Sequence, residues 1–238
     1  MNVNSVKRVF NSVRSIINLN IREYGLGGTN AFSGTYMPER FDAPKRKPIP
    51  DEILKVIQSK CQITDDEPRW VIALISDTSM RLSEAAGLSK DDVYCDEEVP
   101  CVDSKPHPWR RLKTAGSHRK IPLVGMSLWA AKKAHAASIG HCLFPRYCDA
   151  KECHSNSASA ALNNWLKQVA GPDYVIHSFC HSMRDRIRAV NCPTDMIDQI
   201  GGLSSGKIGA GYGEGFKVSQ LHAHLLMTNA FPTVFELS

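Results

Sequence analysis

The residues best equipped for chemistry stand in four short runs. In "TSMRLSEAAGL", Arg81 follows an apolar stretch and Glu84 comes three positions later, so a planar donor fork can face an anion while a carboxylate orients it. In "RRLKTAGSHRKIPL", Lys113 falls at a strand end or hairpin. Arg110, Arg111, Arg119 and Lys120 surround it, a concentration of positive charge that suits contact with a polyanion. The third run, "HSFCHSMRDRIRA", carries His177, Cys180 and His181, and the fourth, "IGGLSSGKIGAGYGEGF", is rich in glycine and carries Leu203, Lys207 and Tyr212. Guanidinium, ammonium, imidazole and phenol together can bind a phosphate, move protons and deliver a nucleophile. Singly, each group has an ordinary alternative: a surface ion pair for Arg81, a solvated charge for Lys113, a helix cap for His177 and a half-buried aromatic for Tyr212.

The elements that must position these groups are mostly helical. Val6, Val9, Phe10, Val13, Ile16, Ile17 and Ile21 recur at helical spacing between Val3 and Tyr24, and "YGLGG" ends that helix. The polar stretch "TNAFSGTYMPERFDAPKRKPIP" reads as a linker. From Pro50 onward "DEILKVIQSK" and "EPRWVIALISDTSM" predict two helices, the second more buried and with Pro68 in its first turn. Between Val99 and Leu123 the runs "VPCVDS", "PWRRLK" and "HRKIPL" predict a small antiparallel sheet. Helices resume in "MSLWAAKKAHAAS", "SASAALNNWLKQVAG", "HSMRDRIRAV", "PTDMIDQI" and "KVSQLHAHLLMT". The expected fold class is α+β, mainly α-helical, with residues 1–36 forming a helix and linker apart from a main domain at residues 37–238.

Taken in order, the four runs resemble the catalytic domain of the tyrosine recombinases, the phage integrase family. Thr78 to Glu84 follow the family's T-G-x-R-x-S-E box, with Ser79 in place of Gly. Lys113, Thr114, Ser117, Arg119, Ile121, Pro122 and Leu123 follow its K-T-x-x-S-x-R-x-(I/V)-P-L run. "CLFP", the His177 run and the "IGGL" run with Tyr212 complete a likeness spanning roughly Lys45 to Phe231. The resemblance implies a clamp around double-stranded DNA, with residues 1–36 as the end of a core-binding domain most of which is missing. It implies a homotetramer on paired sites, and attack by Tyr212 to form a 3′-phosphotyrosine with neither metal nor ATP. Arg81 would then bind the phosphate, Lys113 would protonate the leaving 5′-oxygen, His177 would assist, and Glu84 and His181 would support. Arg110, Arg111, Arg119, Lys120 and Lys207 are the expected DNA contacts. The C-terminal helix, with its stripe of Val218, Leu221, Leu225 and Leu226, is expected to dock on a neighbouring subunit.

Two positions depart from the family. Cys180 stands where its second arginine belongs and Leu203 where it has His or Trp. A thiol offers no bidentate clamp, and losing one such donor costs about 10²–10³ in rate. Arg184, one helical turn beyond Cys180, would approach from a different angle, so strand cleavage is expected to be impaired while DNA binding persists. Competing readings are a non-catalytic DNA-binding relative acting as a regulator, a topoisomerase-like nicking enzyme, and a structural zinc protein.

Bulk properties set the outer bounds. The 238 residues are 42% hydrophobic and 22% charged, with a net charge of +5, which permits a polyanion partner without requiring one. No apolar run approaches the roughly 20 residues that cross a bilayer, and no apolar core of a secretory signal follows Met1, so the expectation is a cytoplasmic, nucleoid-associated protein without a membrane partner. Eight cysteines include Cys142, Cys148 and Cys153, between His141 and His154. Their spacing lacks the close pairs of structural zinc sites, and no metal or other cofactor is expected.

Overall fold

The computed structural model describes residues 3–36, 46–203 and 215–228. The chain divides into two compact units, Met1–Lys45 and Arg46–Ser238. In the first, helix α1 (Val3–Glu23) is met by its own following turns. Arg14 donates to the carbonyls of Phe32, Ser33 and Thr35, and the Phe10 and Phe32 rings meet edge to face at 5.9 Å. Asn30, buried, donates to the Arg14 carbonyl and to Asn18.

The second unit is mainly helical with one small sheet, as the sequence predicts. Its core is built on α2 (Asp51–Thr64), α3 (Glu67–Thr78) and α5 (Gly125–Ala137). Asp66 caps α3 by accepting from the Arg69 amide, and Pro68 sits in the first turn, where no helical donor is lost. Every residue from Val71 to Ile75 is fully buried, so α3 is enclosed on all sides. Ala130, Ala131 and Ala134 are the small residues that let α5 approach it closely.

The short helix α4 (Leu82–Ala86) leads into a three-stranded antiparallel sheet of β1 (Val93–Tyr94), β2 (Cys101–Ser104) and β3 (Arg119–Pro122), in that order. Its register pairs Cys101 with Pro122 and Ser104 with Arg119. The sheet differs from the sequence expectation in one respect. "PWRRLK" is not a strand, and β1 lies ahead of Val99. Trp109 stacks on His107 at 4.5 Å and donates to the Gly87 carbonyl, while Arg110 is buried, so side-chain anchors hold this run instead of a ladder.

Helices α6 (Ser155–Ala170), α7 (Ser178–Ala189), α8 (Thr194–Gly201) and α9 (Val218–Thr228) complete the unit. A second apolar cluster joins Val124, Met183, Ile187, Met196, Ile197 and Ile200 to Leu221 and Leu225 of α9. This corrects the expectation for the C-terminal helix, because its Leu221/Leu225 face covers its own domain, leaving Leu226 and Met227 about half exposed. Arg186 secures the junction. It pairs with buried Asp77 at 3.0 Å and donates to the Thr228 carbonyl at the end of α9.

Candidate active site

The site grows from the end of α3. Ser79 terminates that helix with a left-handed backbone, φ +58°, where a Cβ is disfavoured and glycine fits more easily. The chain then turns into α4 with Arg81 at its N-cap. The Glu84 carboxylate accepts from the Arg81 amide at 3.1 Å and from its guanidinium at 2.6 Å. Arg81 also donates to Ser117 Oγ at 2.9 Å and to the Gly202 carbonyl at 3.1 Å. These bonds fix its direction while leaving its side chain one-fifth exposed.

The sequence places Ser117 in a motif without giving it a role, and gives none to Gly202. Ser117 closes the turn that follows Lys113, with its amide on the Thr114 carbonyl and its hydroxyl 3.0 Å from Thr114 Oγ1, so the T-x-x-S spacing was its available signal. Gly202 ends α8 at φ +61°. A Cβ there would lie 2.5 Å from the Arg119 guanidinium, so only glycine admits the close approach.

Two of the expected DNA contacts need correction. Arg119 is buried, donating to the Ile200 and Ser117 carbonyls at 2.8 and 2.9 Å and to Glu84 at 3.3 Å. Arg110 is also buried, donating to the Glu84 and Lys105 carbonyls. Both use their guanidinium forks to satisfy internal acceptors, which takes them off the exposed surface that a contact with DNA would need. Arg111, Lys113 and Lys120 are exposed, with the Lys120 ammonium 5.5 Å from the centre of the Tyr94 ring. Lys207 and Tyr212 lie outside the described residues.

Helix α7 starts one turn earlier than the sequence suggested, with His177 as its N-cap. His177, Cys180, His181, Arg184 and Ile187 therefore recur at helical spacing and line one pocket of about 120 Å³ together with Ser79, Arg81, Ile197, Ile200, Gly201 and Leu203. A second pocket of about 300 Å³ shares His177 and Cys180 and adds Arg46, Met80, Ser159 and Asn163. The His177 and His181 rings meet edge to face at 5.4 Å. Burial lowers the His177 pKa from its ordinary 6.5, and the charges of Arg46, His181, Arg81 and Lys113 add to the effect. Cys180 directs its thiol at the Ser79 and Met80 carbonyls, 3.5 and 3.7 Å away, and burial raises its pKa, so it stays a neutral thiol.

Arg81, His177, Cys180, His181 and Leu203 are thus brought to one pocket, with Glu84 bound to Arg81 and Lys113 leading into the turn whose Ser117 also binds Arg81. Among the described residues, no group of three or more His, Cys, Asp or Glu side chains is arranged to hold a metal ion. Cys142 and Cys148 lie with their sulfurs 3.2 Å apart, as free thiols. No helix among the described residues is long and apolar enough to cross a membrane.

This is the fold of the tyrosine-recombinase catalytic domain. The chain is similar to the Tn1549 transposon integrase in complex with circular intermediate DNA, at 16% identity and a TM-score of 0.61 over 94% of this chain and 79% of that one. It is similar to a lambda integrase dimer bound to a COC′ core site, at 12% identity and a TM-score of 0.60 over 99% of this chain and 78% of that one. XerA recombinase gives 12% identity and a TM-score of 0.52 over 97% and 78%. No family model matches the sequence, and no curated protein does.

Proposed function

We propose that this chain is a site-specific DNA recombinase of the integrase type, acting on double-stranded DNA as a tetramer on paired sites. Tyr212 attacks the scissile phosphorus, the bond to the 5′-oxygen breaks, and a 3′-phosphotyrosine preserves the energy for religation. Lys113 protonates the departing oxygen, His177 assists proton movement, and Arg81 neutralises the nonbridging oxygens. Residues 1–36 act as the end of a DNA-clamping domain, and the protein works in the cytoplasm on the nucleoid.

The observation that carries this reading is the fixing of Arg81. Glu84, Ser117 and Gly202, drawn from three separate segments, aim one guanidinium at a pocket that also holds His177. Preorganisation of that kind stabilises charge that develops during reaction, with no reorganisation at the moment of transfer.

A neutral thiol at Cys180 slows cleavage, and it favours a second reading, a DNA-binding relative that does not cut. Duplexes selected for binding from a random pool, each then nicked beside candidate cleavage positions, separate the two. A covalent protein–DNA band that vanishes in Tyr212→Phe supports the recombinase. Salt-sensitive binding with no such band supports the regulator.

A further inference from the structure

The geometry points to Arg184 as the second phosphodiester-binding guanidinium of this site, paired with Arg81 across the pocket that Cys180 leaves open. The inference rests on the reading of this pocket as a phosphodiester site. It adds a residue that the four sequence runs did not assign to that role.

Three observations carry it. First, because α7 begins at Ser178, Arg184 follows Cys180 and His181 along one helical face, and it lines the same 120 Å³ pocket as Arg81 and His177. Second, Arg184 is only partly committed. It is bound to Asp198 at 3.3 Å, while its Nε is buried without a hydrogen-bond partner. A buried donor left unmade is costly, and a phosphate oxygen in the pocket would satisfy it. Third, the remaining wall is apolar, formed by Ile187, Ile197, Ile200 and Leu203, which strengthens a charge-assisted bond formed beside it.

Cys180 contributes by being short. Its thiol turns to the Ser79 and Met80 carbonyls, so nothing charged on the first turn of α7 competes for an anion between Arg81 and Arg184. Asp198 is the competing acceptor, holding Arg184 until a phosphate arrives.

The test uses the full chain and two probes, inorganic phosphate and the dinucleotide thymidylyl-thymidine, read by the arginine Nε–H signals in ¹⁵N spectra. Both probes should shift the signal that disappears in Arg184→Lys. Arg184→Gln should weaken binding by about tenfold or more, as expected for loss of a charge-assisted bond, and Arg184→Lys by less. Asp198→Asn should retain or tighten binding, and thermal melts confirm that each variant is folded. Unchanged affinity in Arg184→Gln overturns the inference. So do equal losses in Asp198→Asn and Arg184→Gln, which would make the pair merely structural, or absence of binding by either probe. Binding of phosphate without the dinucleotide makes the pocket a site for free oxyanions and overturns the phosphodiester assignment. Covalent trapping on nicked DNA that survives Arg184→Gln sinks this inference alone, whereas intact anion binding with no trapping in any variant sinks the recombinase reading alone.

Discussion

At the scale of single residues, the difference between binding and cutting DNA comes down to a few atoms. DNA binding draws on many phosphate contacts and their released counterions, so one guanidinium changes it modestly. Cleavage needs charge at one place. With Arg184 already supplying a second guanidinium, Cys180→Arg is expected to raise the rate of covalent attachment to nicked DNA by less than the roughly 10²-fold that a wholly absent donor costs, while changing affinity only severalfold, a comparison that single-turnover trapping and fluorescence anisotropy make directly. In that variant the new arginine and Arg184 share one pocket, so Arg184→Gln should cost less than it does beside Cys180. His177 supplies a second prediction. Its pKa lies below 6.5 in the free protein because of burial and neighbouring cations, and a bound phosphate offsets the cations and raises it. DNA binding then takes up a proton, and affinity rises as pH falls from 8 towards 6, with a shallower rise in His177→Asn. Folding has the opposite sign. The unfolded chain binds this proton more readily, so the stability contributed by neutral His177 is complete above 6.5 and declines as pH drops below it.

At the scale of elements, the helices were legible in the sequence because their apolar residues keep a steady period. The fate of α9 was not. Its stripe predicts a buried face without saying which molecule buries it, and only the packing of Leu221 and Leu225 beside Met183 and Ile197 assigns that face to its own domain. Leu225 is fully buried whereas Leu226 is half exposed. Urea unfolding should accordingly show Leu225→Ala destabilised by about 2–5 kcal/mol and Leu226→Ala by less than about 0.5 kcal/mol. Comparable losses at the two positions would place the stripe elsewhere. The start of α7 is not legible either, since Ser178, Phe179 and Cys180 carry no strong helix signal, yet that first turn puts His177 on the same face as Arg184.

At the scale of the whole molecule, the positive surface is smaller than the basic sequence suggests. The cluster around Lys113 was legible as charge, but the burial of Arg110 and Arg119 was not, because their acceptors come from Glu84, Lys105, Ser117 and Ile200, distributed widely along the chain. The two classes of arginine should separate experimentally. Arg111→Ala should flatten the dependence of log affinity on log salt by about one phosphate contact and leave stability nearly unchanged. Arg110→Ala, which strands the buried Glu84 carbonyl and frees a part-buried Lys105 carbonyl that water can reach, should lower stability by about 1–3 kcal/mol.

The carbonyls of Ile200 and Gly202 hold Arg119 and Arg81, residues that lie 81 and 121 positions earlier in the chain. During synthesis the two arginines leave the ribosome long before their acceptors exist. Until the turn after α8 emerges, a nascent chain carries both guanidiniums without the bonds that aim them, so it can attract nucleic acid before it can grip a phosphate in the right direction.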